Sequence, residues 1–179
     1  MTRKRCIAAL FCGLLAVSGP AAADALSDAG AAFEAAQRGN DPLAVRYYTR
    51  ALWSGDLAGA EQAATHFLRA QAYARLADYA KAVEDYDQAI AFDPGFASAY
   101  YNRGVTQAAR GKLSAALDDY SAAIRFDYPA LYKPLFNRGE IYESRGDFER
   151  AVADFKSAYT LAPDSPPVRA KAEALGLDR

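Results

Sequence analysis

The sequence predicts an all-α fold, an α-solenoid of stacked antiparallel helix hairpins. Three observations predict it. Nearly the same stretch recurs at a spacing of 34 to 35 residues, in Tyr101-Asn102-Arg103-Gly104, in Phe136-Asn137-Arg138-Gly139 and, more weakly, in Phe67-Leu68-Arg69-Ala70. A period of that length marks helical hairpins that bury their apolar faces by stacking on one another. The apolar residues are dominated by alanine rather than by the valine and isoleucine that strands favour. Glycines and prolines fall at regular intervals, as punctuation between helices should.

The first 23 residues read as a targeting segment. Arg3, Lys4 and Arg5 form a basic start, an apolar run follows from Cys6 to Val17, and Ala21-Ala22-Ala23 supplies small residues for cleavage. That layout is a secretory signal peptide, and the apolar run is too short to span a bilayer about 30 Å thick as a helix. The mature chain is expected to begin at Asp24, with nothing left inserted in the membrane. Neither Cys6 nor Cys12 follows the small residue that lipidation needs, since Arg5 and Phe11 precede them. Three of the 21 basic residues and none of the 22 acidic ones lie in this leader, so its loss takes the formal balance from −1 to −4. Both cysteines leave with it, which removes any disulfide or thiolate metal ligand. A mildly acidic chain argues against a nucleic-acid partner, which would need a clustered basic face.

About 156 residues remain, ordinarily one domain. Aligned on Ala70, Gly104 and Gly139, the copies bring Ala82, Ala116 and Ala151 into register, then Ala89, Ala123 and Ala158, with large rings at Tyr86, Tyr120 and Phe155. Small residues on facing helices allow close approach while the rings fill the space between, so this alternation defines one packing geometry. Each hairpin is expected to turn near Ala77, Gly111 or Gly146. Pro94 and Pro163 close the second helices, and Pro129 does so one residue late, accounting for the single 35-residue spacing. The units span 63–96, 97–131 and 132–165.

This pattern resembles the tetratricopeptide repeat family, whose motif places a small residue at its eighth position, alanine at the twentieth and twenty-seventh, an aromatic ring at the twenty-fourth and proline near the thirty-second. The resemblance implies a right-handed α-solenoid. Residues 25–58 resemble a degenerate first unit, with Gly39-Asn40 at the turn, Asp41-Pro42 opening the second helix and Ala44, Tyr48 and Ala51 at the expected positions. Its first helix carries Ala32 and Ala35 where the motif has glycine and tyrosine. Residues 166–179 read as a closing helix with Val168, Ala172 and Leu175 along one face and Arg169, Lys171 and Glu173 on the rest, a solvating cap for the stack.

Arginine and aspartate recur together sixteen residues apart: Arg69 with Asp85, Arg103 with Asp119, Arg138 with Asp154. The degenerate unit has Ala31 and Tyr47 instead. Because both members appear or vanish together, they are expected to pair, within a hairpin or across adjacent ones. No catalytic constellation emerges. His66, the only histidine, stands where the motif wants a bulky packing group, and one histidine without mature cysteines cannot build a zinc site. The doublets Glu84-Asp85 and Asp118-Asp119 point about 100° apart on a helix and read as a solvated face plus an ion pair. There is no phosphate-cradling glycine loop and no nucleophile elbow. Trp53 is expected in the core. The chain is read as needing no cofactor and no metal.

The resemblance further implies that the first helix of each unit faces a concave, peptide-binding groove. The groove positions hold Phe67, Gln71 and Arg75, then Tyr101, Asn102 and Val105, then Lys133, Phe136, Asn137, Glu140 and Glu143. Rings flanked by amides and a few charges suit an extended peptide, although the rings can equally pack between units and only graze the groove. Asn102 and Lys133 match residues of the family's carboxylate-clamp members. The remaining clamp positions are Phe67, Gln71 and Asn137, which supply too little positive charge for a tail carboxylate. The expected function is a noncatalytic, exported protein- or peptide-binding scaffold of a bacterial periplasm, serving envelope assembly or secretion. A self-associating structural spacer and a cell-wall-active hydrolase are the alternatives.

Overall fold

A computed structural model of the chain describes residues 20–178, and among these residues the secondary structure is helical throughout. The helices are α1 (Pro20–Gln37), α2 (Asp41–Trp53), α3 (Gly59–Arg75), α4 (Tyr79–Phe92), α5 (Ala97–Ala109), α6 (Leu113–Arg125), α7 (Tyr132–Ser144), α8 (Phe148–Leu161) and α9 (Pro166–Leu175). The expected leader lies outside the described residues except for its last four, which form the opening turn of α1. No described helix is long and apolar enough to cross a membrane.

The helices fall into two compact units, one ending at Pro94 and the other beginning at Gly95. In the first, α1 packs on α2, α2 on α3 and α3 on α4; in the second, α5 packs on α6, α6 on α7, α7 on α8 and α8 on α9. Alanines carry these contacts. Ala70, Ala82 and Ala89 in the first unit, and Ala116, Ala123 and Ala158 in the second, are fully enclosed, with Tyr86, Tyr120 and Phe155 packed beside them. In the second unit the small positions are glycine, and the fit is tight: a methyl group on Gly104 would stand 2.8 Å from the Tyr120 ring, and one on Gly139 would stand 2.8 Å from Phe155. At the matching place in α3 the chain carries a methyl group already, in Ala70.

Every hairpin turns in the same way. At the end of α3, the Ala77 N–H bonds the Ala74 carbonyl and the Asp78 N–H reaches back to Tyr73; Gly111 with Lys112 and Gly146 with Asp147 repeat the pair. These Schellman caps satisfy carbonyls that a helix end leaves orphaned. The residue that closes one helix then opens the next. The side chains of Asn40, Asp78 and Asp147 accept from the N–H groups of Leu43, Lys81 and Arg150, whereas Lys112 has no oxygen to offer. The turn needs a left-handed residue, which is glycine at 39, 111 and 146 but alanine at 77, with φ of 59°. Asp127, φ 54°, makes a fifth such cap after α6.

The three arginine–aspartate pairs form within hairpins. Arg69 donates from Nε and Nη2 to Asp85 at 2.7 and 2.8 Å, Arg138 to Asp154 at 2.8 and 2.8 Å, and Arg103 Nη2 to Asp119 at 2.6 Å. All three aspartates are buried. The free edge of two of these arginines reaches the preceding hairpin: Arg69 Nη1 donates to Thr49 Oγ1 at 3.0 Å and Arg138 Nη1 to Ser121 Oγ at 2.9 Å. The first hairpin replaces the motif pair by one of opposite polarity, with Asp28 on α1 and Arg50 on α2. His66 completes the set around Asp85, its Nδ1 at 2.8 Å from Oδ1 and its ring stacked on Phe92. The carboxylate can only accept, so the imidazole donates.

One expectation fails at the end of α2. Trp53, placed in the core by the sequence reading, is 85% exposed. The apolar end of the first hairpin is closed instead by Ala25, Leu26, Ala29, Ala51 and Leu57, and the loop residue Leu57 takes the buried place.

Candidate functional site

Each unit presents a polar and aromatic surface built mainly from its first helices. In the first unit α1, α2 and α3 line an open pocket of about 250 Å³, bounded by Phe33, Gln37, Tyr48, Leu68, Gln71 and Arg75. Two of the expected groove residues, Gln71 and Arg75, meet here. Arg75 is fixed across the hairpins: its Nε donates to Asp41 Oδ1 at 2.8 Å, and its Nη2 lies 2.6 Å from the same oxygen. Asp41 is the buried first residue of α2, where a carboxylate also suits the positive end of the helix. Tyr48 is fully buried, and its hydroxyl has no hydrogen-bond partner in the protein. Burial pushes that phenol far above its ordinary ionisation range, with Arg75 and Asp41 acting on it in opposite directions. It stays a proton donor.

Phe67 requires a correction. It was expected to face the groove, yet it is only 4% exposed, with its ring centroid 6.0 Å from that of Tyr86. The physical reason is its position on α3 directly above the hairpin partner α4, where a ring fills core space instead of meeting a ligand. Leu68, one residue on, lines the pocket in its stead.

In the second unit Tyr101, on α5, stacks on Tyr128 with centroids 4.5 Å apart and tilts against Tyr120 at 6.0 Å. Asn137, on α7, donates weakly to both Tyr101 Oη and Tyr120 Oη at 3.4 Å. Burial raises the phenols of Tyr120 and Tyr128 to about 12, so the cluster is neutral and rich in hydroxyl donors at physiological pH. Phe136 leans on Phe155 at 5.5 Å and is half-buried. Lys133, Glu140 and Val105 are exposed. Asn102 donates one N–H to the Ser98 carbonyl of its own helix at 2.8 Å. At the end of the unit Lys171 of α9 bonds Glu143 at 2.8 Å and sits 5.0 Å over the Phe155 ring.

Tyr128 was not among the expected site residues. It lies in the connection 126–131, the longest between the described helices. The left-handed Asp127 turns the chain there, and that geometry lays the Tyr128 ring on Tyr101. The irregular 35-residue spacing was the available signal, though attributed only to Pro129. Tyr48 was read as a packing position, and nothing in its pattern marks the hydroxyl as unpartnered. Among the described residues, no group of three or more histidine, cysteine or carboxylate side chains converges as a metal site would.

With this geometry in place, comparison with known proteins identifies the repeats. Profiles described as TPR repeat and Tetratricopeptide repeat match residues 70–109 and 132–165. These two segments match the tetratricopeptide repeat. Over 87 residues it is 31% identical to the tetratricopeptide repeat and J domain-containing co-chaperone DNJ1 of Cryptococcus neoformans, a match covering 49% of this chain and 16% of that much longer relative. Its fold is similar to that of MamA from Desulfovibrio magneticus RS-1, with a TM-score of 0.72, 20% identity, and 85% and 81% of the two chains covered. It is also similar to the second TPR of Spaghetti (RPAP3) bound to the HSP90 peptide SRMEEVD, with a TM-score of 0.54, 28% identity, and 59% and 94% covered. These likenesses establish the fold class as an all-α helical-repeat solenoid, a class that generally serves protein interaction without catalysis.

Proposed function

We propose that this chain is a noncatalytic scaffold whose repeat faces bind an extended segment of another protein. The observation that carries the reading is the second-unit surface, where Asn137 links the hydroxyls of Tyr101 and Tyr120. Half-buried rings give contact area at small entropic cost, and an amide with phenol hydroxyls offers donors and acceptors to a peptide backbone. The bound peptide in the Spaghetti module supports this use of the fold. A carboxylate-terminated tail is disfavoured here, since Phe67 is buried and Arg75 is already neutralised by Asp41. The basic start, apolar run and alanine triplet support export, and we place the exported chain in a bacterial periplasm, in envelope assembly or secretion.

The test is in-cell crosslinking of the wild type beside Asn137→Ala combined with Tyr101→Phe, changes that remove the hydroxyl–amide contacts and keep the ring. Loss of a specific crosslinked partner, with an unchanged melting curve, is expected. An unchanged set of partners rejects the second-unit surface. Self-association is a second reading favoured by one observation, the exposure of Leu161 and Leu175 in the last hairpin and its capping helix. Sedimentation that changes with concentration and is abolished by Leu161→Glu would support it.

A further inference from the structure

Resting on the second-unit binding reading, we infer that the cluster of Tyr101, Tyr128, Tyr132, Asn137 and Glu140 receives a cationic side chain, lysine or arginine, from the bound polypeptide. The argument begins with what these rings lack. At four other places the chain lays its own arginines against half-buried tyrosines: Arg50, Arg69, Arg103 and Arg138 stand 5.0, 6.0, 5.4 and 5.9 Å from the ring centroids of Tyr47, Tyr73, Tyr100 and Tyr142. Among the described residues no lysine or arginine stands over Tyr101, Tyr128 or Tyr132. All three are partly open to solvent, so a ligand can supply the missing charge.

The chemistry of the cluster narrows the class of side chain. Tyr101 and Tyr128 stack on each other at 4.5 Å, which leaves one outward face on each ring, and such a face attracts a cation. Burial raises the phenols of Tyr101 and Tyr128, and Tyr132 lies close enough to push both further up, so they stay neutral and their oxygens offer lone pairs to an incoming N–H. Asn137 spends its N–H groups on Tyr101 and Tyr120. Its carbonyl oxygen is therefore left as an acceptor, with no donor among the described residues. Glu140, three residues further along α7, is exposed, and its charge is felt at the Tyr120 phenol, which places it beside the cluster. No described residue forms an ion pair with it, since Lys171 is held by Glu143 at 2.8 Å. An acidic side chain would meet Lys133 of the same helix, but against it the phenol oxygens, the amide carbonyl and Glu140. An aliphatic one would touch the rings and engage none of the acceptors. A lysine or arginine satisfies both, its stem on the rings and its N–H groups on the oxygens.

The test uses three capped pentapeptides, acetyl-Ala-Ala-X-Ala-Ala-amide with X as lysine, norleucine or glutamate, titrated into the isotope-labelled full chain and followed by NMR. Norleucine keeps the lysine stem and removes only the ammonium. The wild type is run beside Glu140→Gln, an exposed change of charge alone, beside Tyr128→Leu, which removes a ring face and keeps apolar bulk, and beside Lys133→Gln, with a melting curve for each. The lysine peptide is expected to shift the signals of Tyr101, Tyr128, Tyr132, Asn137 and Glu140, and to bind about fivefold more tightly than the other two, the worth of about one exposed cation–ring contact. Glu140→Gln and Tyr128→Leu are each expected to cut that preference to about twofold or less, and Lys133→Gln to leave it unchanged or raise it. Equal or tighter binding of the norleucine or glutamate peptide at these residues, or a preference that neither Glu140→Gln nor Tyr128→Leu lowers, overturns the cation assignment while leaving peptide binding at this surface intact. Shifts confined to residues outside the second unit overturn the cluster as the site. Absence of shifts anywhere overturns the cation site, and the crosslinking experiment then decides the wider reading separately.

Discussion

Two side chains of this protein hold conformations or environments that stability alone would not choose. Ala77 stands at φ 59° in a turn whose counterparts at 111 and 146 are glycine. A left-handed non-glycine residue costs about 1 to 2 kcal/mol, and the extra freedom of an unfolded glycine returns part of that. Ala77→Gly should therefore stabilise the chain by about 0.5 to 1 kcal/mol, read as a higher urea midpoint at unchanged slope. Tyr48 is the second case. Replacing an enclosed, unpartnered hydroxyl by hydrogen removes a desolvated group, so Tyr48→Phe should leave the unfolding midpoint unchanged or raise stability by about 1 kcal/mol. A loss of more than about 1 kcal/mol would show that the hydroxyl is satisfied in the unliganded protein.

In the helices and hairpins, the caps and ion pairs make separable contributions. α6 opens at Lys112, which supplies no side-chain acceptor, whereas Asn40, Asp78 and Asp147 do so for α2, α4 and α8. Lys112→Asn should add about 1 kcal/mol, visible as a rise in melting temperature. Arg138 and Asp154 form a bidentate pair whose carboxylate is buried. Removing either partner alone should cost about 3 to 5 kcal/mol, because the other charge is left enclosed, and the double alanine variant should lose much less than the sum. Additive losses would end the claim of coupling. The pairing was legible in the sequence because both members recur at one spacing through three copies. The opposite pair of Asp28 and Arg50 occurs once, at an unrelated spacing, and gave periodicity nothing to detect. Trp53 was misread for a related reason: in the divergent hairpin the alignment offers no register, and apolar character was taken for burial. The fold class followed from the repeat itself. The pocket around Tyr48 needs three helices to meet, which no periodicity in one dimension can display.

For the molecule as a whole, the buried Asp85 ties stability to acidity. Burial by itself would raise the Asp85 carboxyl, but hydrogen bonds from Arg69 and His66 outweigh it and hold the group below the ordinary carboxylate range. A carboxylate whose folded pKa is depressed contributes stability that is fully present above the unfolded value near 4 and is lost as pH falls through the lower folded value. Acid unfolding followed by circular dichroism should thus steepen below about pH 4, and Asp85→Asn should flatten that limb while lowering stability at neutral pH.

Thr49 precedes Arg69 in the chain, and Ser121 precedes Arg138. The leading hairpin of each couple brings only a small hydroxyl to the joint, which water hydrates readily when the joint is open. Each arginine donates to the aspartate of its own hairpin and, with its remaining edge, backward to that hydroxyl. Parting neighbouring hairpins therefore uncovers an ion pair and a neutral hydroxyl rather than two separated charges, so a seam can open and reclose without either side holding a bare ion.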